Sequence, residues 1–335
     1  MTYRIDRRGA LKLGAAAALA PAVARGADRV QVGALRFTSH AASFVAYERG
    51  YFAEAGLEVD FRFFQAAQPM AIAVASRDAD YAVTAITGGL ISLAQKGAAK
   101  VIGGALREAP GIDGQMILAS NDAHAGGLTS PAGLGGKVFG MTTAGSSFHY
   151  MGSRIAEAEG VEMSFRPLQK VGAVIGALKS GQVDAWSIVP HIAKALAGAG
   201  AVQPIGKVAD YLPDYQVTTV FTSADAASGE RGRTAAFLEA FSRGAADFNA
   251  ALVDRSEGED AAEEMVRLIH KYVYTDRPYE KAAPSIRNGA MRISPSAALG
   301  MGSIEDQLAW FRAEGLVGED ATAEVLVDPS YVETA

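Results

Sequence analysis

The stretch from Phe37 to Thr87 is written a second time further along the chain. Adding 104 to the numbers of Ser43, Phe44, Gly56, Glu58, Phe61, Ala73, Ser76 and Asp80 lands on Ser147, Phe148, Gly160, Glu162, Phe165, Ala177, Ser180 and Asp184. Eight identities at one offset, with no gap in the window, mean two units built to one plan. Each unit reads as an apolar strand, a polar loop, an amphipathic helix stopped by glycine, a second strand, a second loop and helix, and an acidic step into a third strand. In the first copy these are Val30–Leu35, Thr38–His40, Ser43–Ala55, Leu57–Phe63, Gln65–Ser76 and Tyr81–Val83. In the second they are Lys137–Met141, Thr142–Gly145, Ser147–Glu159, Val161–Arg166, Val171–Ser180 and Ala185–Ile188. Gly56 and Gly160 stand where a helix C-terminus favours a left-handed residue. Strands alternating with helices of about 10 to 15 residues predict parallel βαβ units, hence an α/β fold. Ligands of such sheets bind beyond the carboxyl ends of the strands, so the polar loops of both copies face one crevice between two lobes.

The chain has 335 residues, enough for two modest domains. Hydrophobic residues make up 49% and charged residues 20%, a balance that excludes general disorder. A net charge of −6 and the lack of any basic stripe argue against nucleic acid as a partner. There is no cysteine, which removes disulfides, thiolate metal sites, a cysteine nucleophile and a lipid-modified cysteine.

Residues 1–24 read as an export signal. Arg4, Arg7, Arg8 and Lys12 form a basic region, Ala10–Ala20 an apolar one, and Ala22-Val23-Ala24 a cleavage pattern. Asp6-Arg7-Arg8-Gly9-Ala10-Leu11-Lys12 resembles a twin-arginine signal, with Ala10 in place of the usual phenylalanine; a general secretory signal is the alternative. The apolar run is shorter than the roughly 20 residues that span a bilayer.

Residues 28–117 together with 222–335 are expected to form lobe 1, and 118–221 lobe 2. The chain then crosses between lobes twice, making a two-strand hinge that permits opening and closing. In the tail, Phe237, Phe241, Ala245 and Phe248 form one helical stripe, and Met265, Leu268, Ile269 and Tyr272 another; both are assigned to packing on lobe 1. Ser303 is expected to cap a helix that Gly315 ends.

At Arg49-Gly50-Tyr51-Phe52-Ala53-Glu54-Ala55-Gly56-Leu57-Glu58-Val59 the sequence resembles the NMT1/THI5-like family of periplasmic substrate-binding proteins. Ala75–Tyr81 and Leu178–Ala185 resemble two further hallmarks of that family. The resemblance spans roughly residues 29–320. It implies a two-lobe periplasmic binding protein of type II, the Venus flytrap, serving an ABC permease and its ATPase as a periplasmic monomer. It does not name the ligand, since the family serves nitrate, taurine, alkanesulfonate and pyrimidine-precursor importers alike; the polar loops favour a small anionic or zwitterionic solute, sulfonate-, taurine- or nitrate-like, among these.

Thr142-Thr143-Ala144-Gly145-Ser146-Ser147 is the leading site candidate, because it offers hydroxyls and free N–H groups at a helix N-terminus. It is similar to the hydroxyl-rich loop of the family's sulfonate and taurine binders, although Ser146 or Ser147 can equally act as a plain helix cap. Thr38, Ser39 and His40 and the nest of Thr84, Ala85 and Thr87 are the first-lobe counterparts; Gln65 and Gln68 flank a helix start and can orient a polar ligand. Arg107 can hold a carboxylate or sulfonate bidentately, or else pair with Glu108 or stay solvated. Trp186 is read as an aromatic wall, with burial as the alternative, and His191 as a ligand contact. His40, His149 and His191 sit near loop mouths, but they are spread along 151 residues without a companion carboxylate, so no metal is expected. No cofactor is expected either. The family's enzymes depend on cysteine, and Ser146 with His149 lacks a third group to orient the histidine. A binding role therefore leads, ahead of a ligand sensor or a non-thiol enzyme on the same fold.

Overall fold

The computed structural model describes residues 27–334; the export segment expected at residues 1–24 lies outside them. Ten strands follow one another as β1 (Asp28–Ala34), β2 (Leu57–Phe63), β3 (Tyr81–Thr84), β4 (Lys100–Gly104), β5 (Met116–Ser120), β6 (Val138–Met141), β7 (Ser164–Pro167), β8 (Ala185–Ile188), β9 (Val202–Lys207) and β10 (Thr219–Thr222). They form two sheets, ordered β2-β1-β3-β10-β4 and β7-β6-β8-β5-β9. In the first, β1 pairs in parallel with β2 and β3; in the second, β6 does the same with β7 and β8. The repeat is thus a shared three-strand core. Each sheet is completed by an antiparallel strand arriving from the other side of a crossing, β10 in the first and β5 in the second.

The two crossings run side by side. Arg107 bridges Gln216, the Glu108 N–H donates to the Tyr215 carbonyl at 2.9 Å, and the Ala105 N–H donates to that of Thr218 at 3.0 Å. A pair of hydrogen-bonded strands resists shear yet bends easily, so this is the expected two-strand hinge of a two-lobe α/β fold.

Local structure departs from expectation in three places. The helix expected over Ser43–Ala55 is two, Ala41–Glu48 and Tyr51–Glu54, because Gly50 between them takes φ +78. Ser303 does not cap its helix; Gly300 precedes the Met301–Ala313 helix, and the Ser303 hydroxyl instead accepts the Gln216 N–H at 2.9 Å. The tail is not confined to the first sheet. Its Arg231–Phe248 helix does pack there, with Phe237 stacked 5.1 Å from Phe52 and 4.0 Å from Tyr81, each such burial contributing about 1.5–3 kcal/mol. Further on, however, the Lys194 ammonium donates to the Asn288 carbonyl, and the Tyr150 hydroxyl donates to Asp306 at 2.5 Å. The later tail helices therefore also hold the side of the second sheet. Among the described residues no helix is long and apolar enough to cross a membrane.

Candidate functional site

The carboxyl ends of the parallel strands of both sheets meet around a cavity of about 50 Å³. From the first sheet's side it is lined by Ser39, His40, Thr84 and Ala85; from the second's by Thr142, Ser146, Ser147 and Phe148; and from the hinge by Gln115 and Thr218. Five helices begin at its wall: Ala41–Glu48, Ala67–Ala75, Ser147–Glu159, Val171–Lys179 and Pro190–Gly198. The first N–H groups of a helix have no partner within it and carry partial positive charge. Four of these starts, those of Ala67–Ala75, Ser147–Glu159, Val171–Lys179 and Pro190–Gly198, gather at one space and favour an anion there, with no lysine or arginine in the lining; the Ala41–Glu48 helix instead continues from a 3-10 turn over Thr38–His40. Two backbone hydrogen bonds join the lobes across this space. The Gly88 N–H donates to the Gly145 carbonyl at 3.0 Å, and the Val171 N–H to that of Gln65 at 3.3 Å.

Several candidates from the sequence stand in this lining, namely Ser39, His40, Thr84, Ala85, Thr142, Ser146 and Ser147. Others do not. Thr38 is fully buried just outside it, its hydroxyl unpartnered. Thr87 caps the Gly88–Gln95 helix, accepting the Leu90 N–H at 3.1 Å. Gln68 lies over Gly89, where an added Cβ would meet its amide at 1.9 Å. Arg107 stays in the hinge, its Nε donating to the Glu108 carbonyl at 3.4 Å. Trp186 is fully buried behind Phe148, ring centroids 5.2 Å apart, so the aromatic wall is Phe148 and Trp186 is core. Ser146 does cap its helix, accepting the His149 N–H at 3.4 Å, while the His149 ring faces away and accepts the Gly145 N–H at 3.2 Å. Serine hydroxyl and imidazole are each engaged elsewhere.

A second, larger cavity of about 730 Å³ adjoins the first, and Leu35, Phe37 and Val171 line both. It receives Gln65 and His191, and its wall carries Phe63, Phe64, Gly172, Ile175 and Tyr274. His191 is buried, and neither of its ring nitrogens has a hydrogen-bond partner. An unpaired buried polar group costs about 1–3 kcal/mol. Burial pushes its pKa down to about 3, and the neighbouring imidazole of His40 acts the same way by disfavouring a second positive charge beside it. His40, whose Nδ1 accepts the Leu35 N–H at 3.4 Å, is lowered to about 3 by burial alone. Both imidazoles are neutral. They pack edge-on around Phe37, at 6.2 Å for His40 and 5.4 Å for His191. Among the described residues no three histidine or acidic side chains converge as metal ligands.

Sequence reasoning missed Phe37, Gln115, Phe148 and Tyr274. Phe148 was legible as one of the repeated identities with Phe44, but its role was not: Phe44 is buried against Tyr272 at 4.5 Å, whereas Phe148 faces the cavity. Tyr274 carries a φ of 57, rare for a bulky residue, and its hydroxyl donates to the His191 carbonyl at 3.0 Å. Nothing local in its sequence announces that placement.

Comparison with known proteins gives a consistent picture. The model of a family described as NMT1/THI5 like matches residues 37–251. No curated protein matches the chain. Among solved structures, the periplasmic nitrate-binding protein NrtA from Synechocystis PCC 6803 superposes with a TM-score of 0.72 at 13% identity, covering 91% of this chain and 87% of its own. The alkanesulfonate-binding protein SsuA from Xanthomonas axonopodis pv. citri, bound to MOPS, gives 0.69 at 16% identity, covering 93% and 100%. The ligand-binding component of an ABC-type import system from Staphylococcus aureus, with zinc bound, gives 0.69 at 13% identity, covering 91% and 97%. At such identities these likenesses show the periplasmic-binding-protein fold.

Proposed function

The chain belongs to the NMT1/THI5-like family, and from that premise we propose that it is the extracytoplasmic solute-binding component of an ABC importer, holding a small anionic or zwitterionic solute between two closing lobes. Residues 28–117 with 222–335 form one jaw and 118–221 the other. The protein is exported to the periplasm by a signal at its N-terminus, there delivers its solute as a monomer to a permease and its ATPase, and performs no catalysis.

One observation carries this reading: Ser39, Thr84, Thr142 and Ser147 and four helix N-termini line one cavity from opposite lobes. Hydroxyls and N–H dipoles bind anions without the desolvation cost of a buried lysine or arginine. A micromolar dissociation constant, about −8 kcal/mol, lies within reach of such a site once water is excluded. The engagement of Ser146 and His149 elsewhere supports a non-catalytic role.

Thermal unfolding of the mature chain against nitrate, taurine, small sulfonates, small carboxylates and neutral heterocycles tests the proposal. A true ligand at 100 times its dissociation constant adds about 2.7 kcal/mol. An acid or zwitterion of the panel should raise the melting temperature. A response to neutral heterocycles alone would sink the anion reading.

A further inference from the structure

The inner cavity, at about 50 Å³, has room for about three or four water-sized groups. That suits a carboxylate or sulfonate head and little else. The outer cavity, at about 730 Å³, lies within the range of sites that enclose a whole organic molecule. A lone oxyanion would leave it empty.

Its wall is largely aromatic on one side. Phe37 and Phe64 come from the first sheet's loops, Phe63 from the end of β2 and Tyr274 from the tail, and Ile175 closes the second sheet's side. The Arg36 guanidinium carbon lies 3.8 Å from the centroid of the Phe63 ring, so the slot pairs an apolar ring with a cation. Arg36, Lys179 and Arg277 line this cavity against the single carboxylate of Asp276, and among the described residues none of the three makes an ion pair. Unpaired cations at a cleft mouth attract an incoming anion. Independently, His191 lines the cavity while buried, with both ring nitrogens unpartnered. A neutral imidazole offers one donor and one acceptor, a pair suited to a polar group that reaches it from the cavity.

We propose that the solute is an aryl acid, a carboxylate or sulfonate whose charged group sits in the inner cavity and whose ring lies in the outer one, between Phe37, Phe64 and Tyr274, with His191 meeting a polar ring substituent. This rests on the solute-binding reading above and narrows it. Leu35, Phe37 and Val171, shared by both cavities, form the waist of the site.

Calorimetric titration of the mature chain with two matched pairs, acetate against benzoate and methanesulfonate against benzenesulfonate, tests the assignment. The aryl member of at least one pair should bind tenfold or more tightly than its small partner. Ala195→Trp should abolish that advantage while leaving the small anion within threefold of its original affinity. Ala195 is half-buried and lines the outer cavity but not the inner one, so an indole there enters the slot away from the anion. Ile175→Trp, on the wall of the same outer cavity, serves as a second filling variant. Equal affinities within both pairs, or an aryl advantage that survives both variants, would overturn the aryl assignment and leave the anion-binding reading standing. Failure of all four acids to bind would overturn both.

Discussion

Asp80 and Asp184 occupy the same position in the two copies and do the same work. Each accepts the N–H of the strand beside it at 2.7 Å, Gln31 for one and Val138 for the other, and returns its own N–H to the same residue's carbonyl at 2.8 Å. Ser76 and Ser180 likewise each donate to the carbonyl three residues back, Ala73 or Ala177, at 3.2 Å. The repeated identities are therefore mostly joints of the scaffold. Glu108 is the single-residue feature with the largest expected consequence. It is buried in the hinge, one oxygen accepting both N–H groups offered by Gln115 at 3.0 and 3.3 Å and the other unpartnered. Burial raises its pKa to about 7, against the smaller opposing pull of those hydrogen bonds. A raised carboxyl stabilises the fold fully below its unfolded pKa, and that contribution is lost as pH climbs through about 7. Glu108→Gln should thus match the parent near pH 4.5 and exceed it by about 3 kcal/mol at pH 8 in urea unfolding. An advantage that did not grow with pH would refute this. His40 and His191 act in the opposite sense: held neutral with pKa values of about 3, they favour the fold fully above about pH 6.5, and that contribution is lost as pH falls toward 3.

Among the elements, the helices Arg231–Phe248 and Ala41–Glu48 approach backbone to backbone, and Gly244 is what lets them. A Cβ there would lie 2.2 Å from the Ala42 carbonyl and 2.7 Å from the Ala46 nitrogen, neither of which can rotate away. Gly244→Ala should cost about 1–3 kcal/mol through forced separation of the pair, outweighing the gain in helix propensity. Urea unfolding checks it, and an unchanged midpoint would mean that the contact is looser than the structure shows. The element pattern of the first three strands in each half was readable because period and glycine position are local properties. Readers of the sequence alone would also place Ser303 at a helix start, as its type invites. Its hydroxyl is claimed instead by Gln216, 87 residues away along the chain.

At the scale of the whole molecule, the backbone contact between Gly88 and Gly145 joins the two sides of the cleft. Gly88 is the first residue of its helix, a position that tolerates proline, and Thr87 before it is extended, as a residue preceding proline should be. Gly88→Pro should leave the helix intact while removing the cross-cleft donor and setting a ring carbon against the Gly145 carbonyl. The expected outcome is an unchanged circular dichroism spectrum, a larger radius of gyration in solution scattering, and weaker solute binding. Equal scattering from parent and variant would show that the closed form does not rely on this contact.

The residues alone determined that this chain holds two α/β units of one plan, with polar loops gathered at their strand ends, since duplication, alternation and helix stops are written within short windows. They also determined which chemistry is missing, because a chain without cysteine has no thiol to offer. Tertiary structure alone decided which of the gathered loops line the cavity. Thr142 and Ser147 line it while Thr87 does not; Phe148 faces it while Trp186 is buried; and His191 is buried with the rings of Phe37 and Tyr274 edge-on to it. Facing and burial depend on what arrives from distant parts of the chain, and no local pattern encodes the angle at which two lobes close.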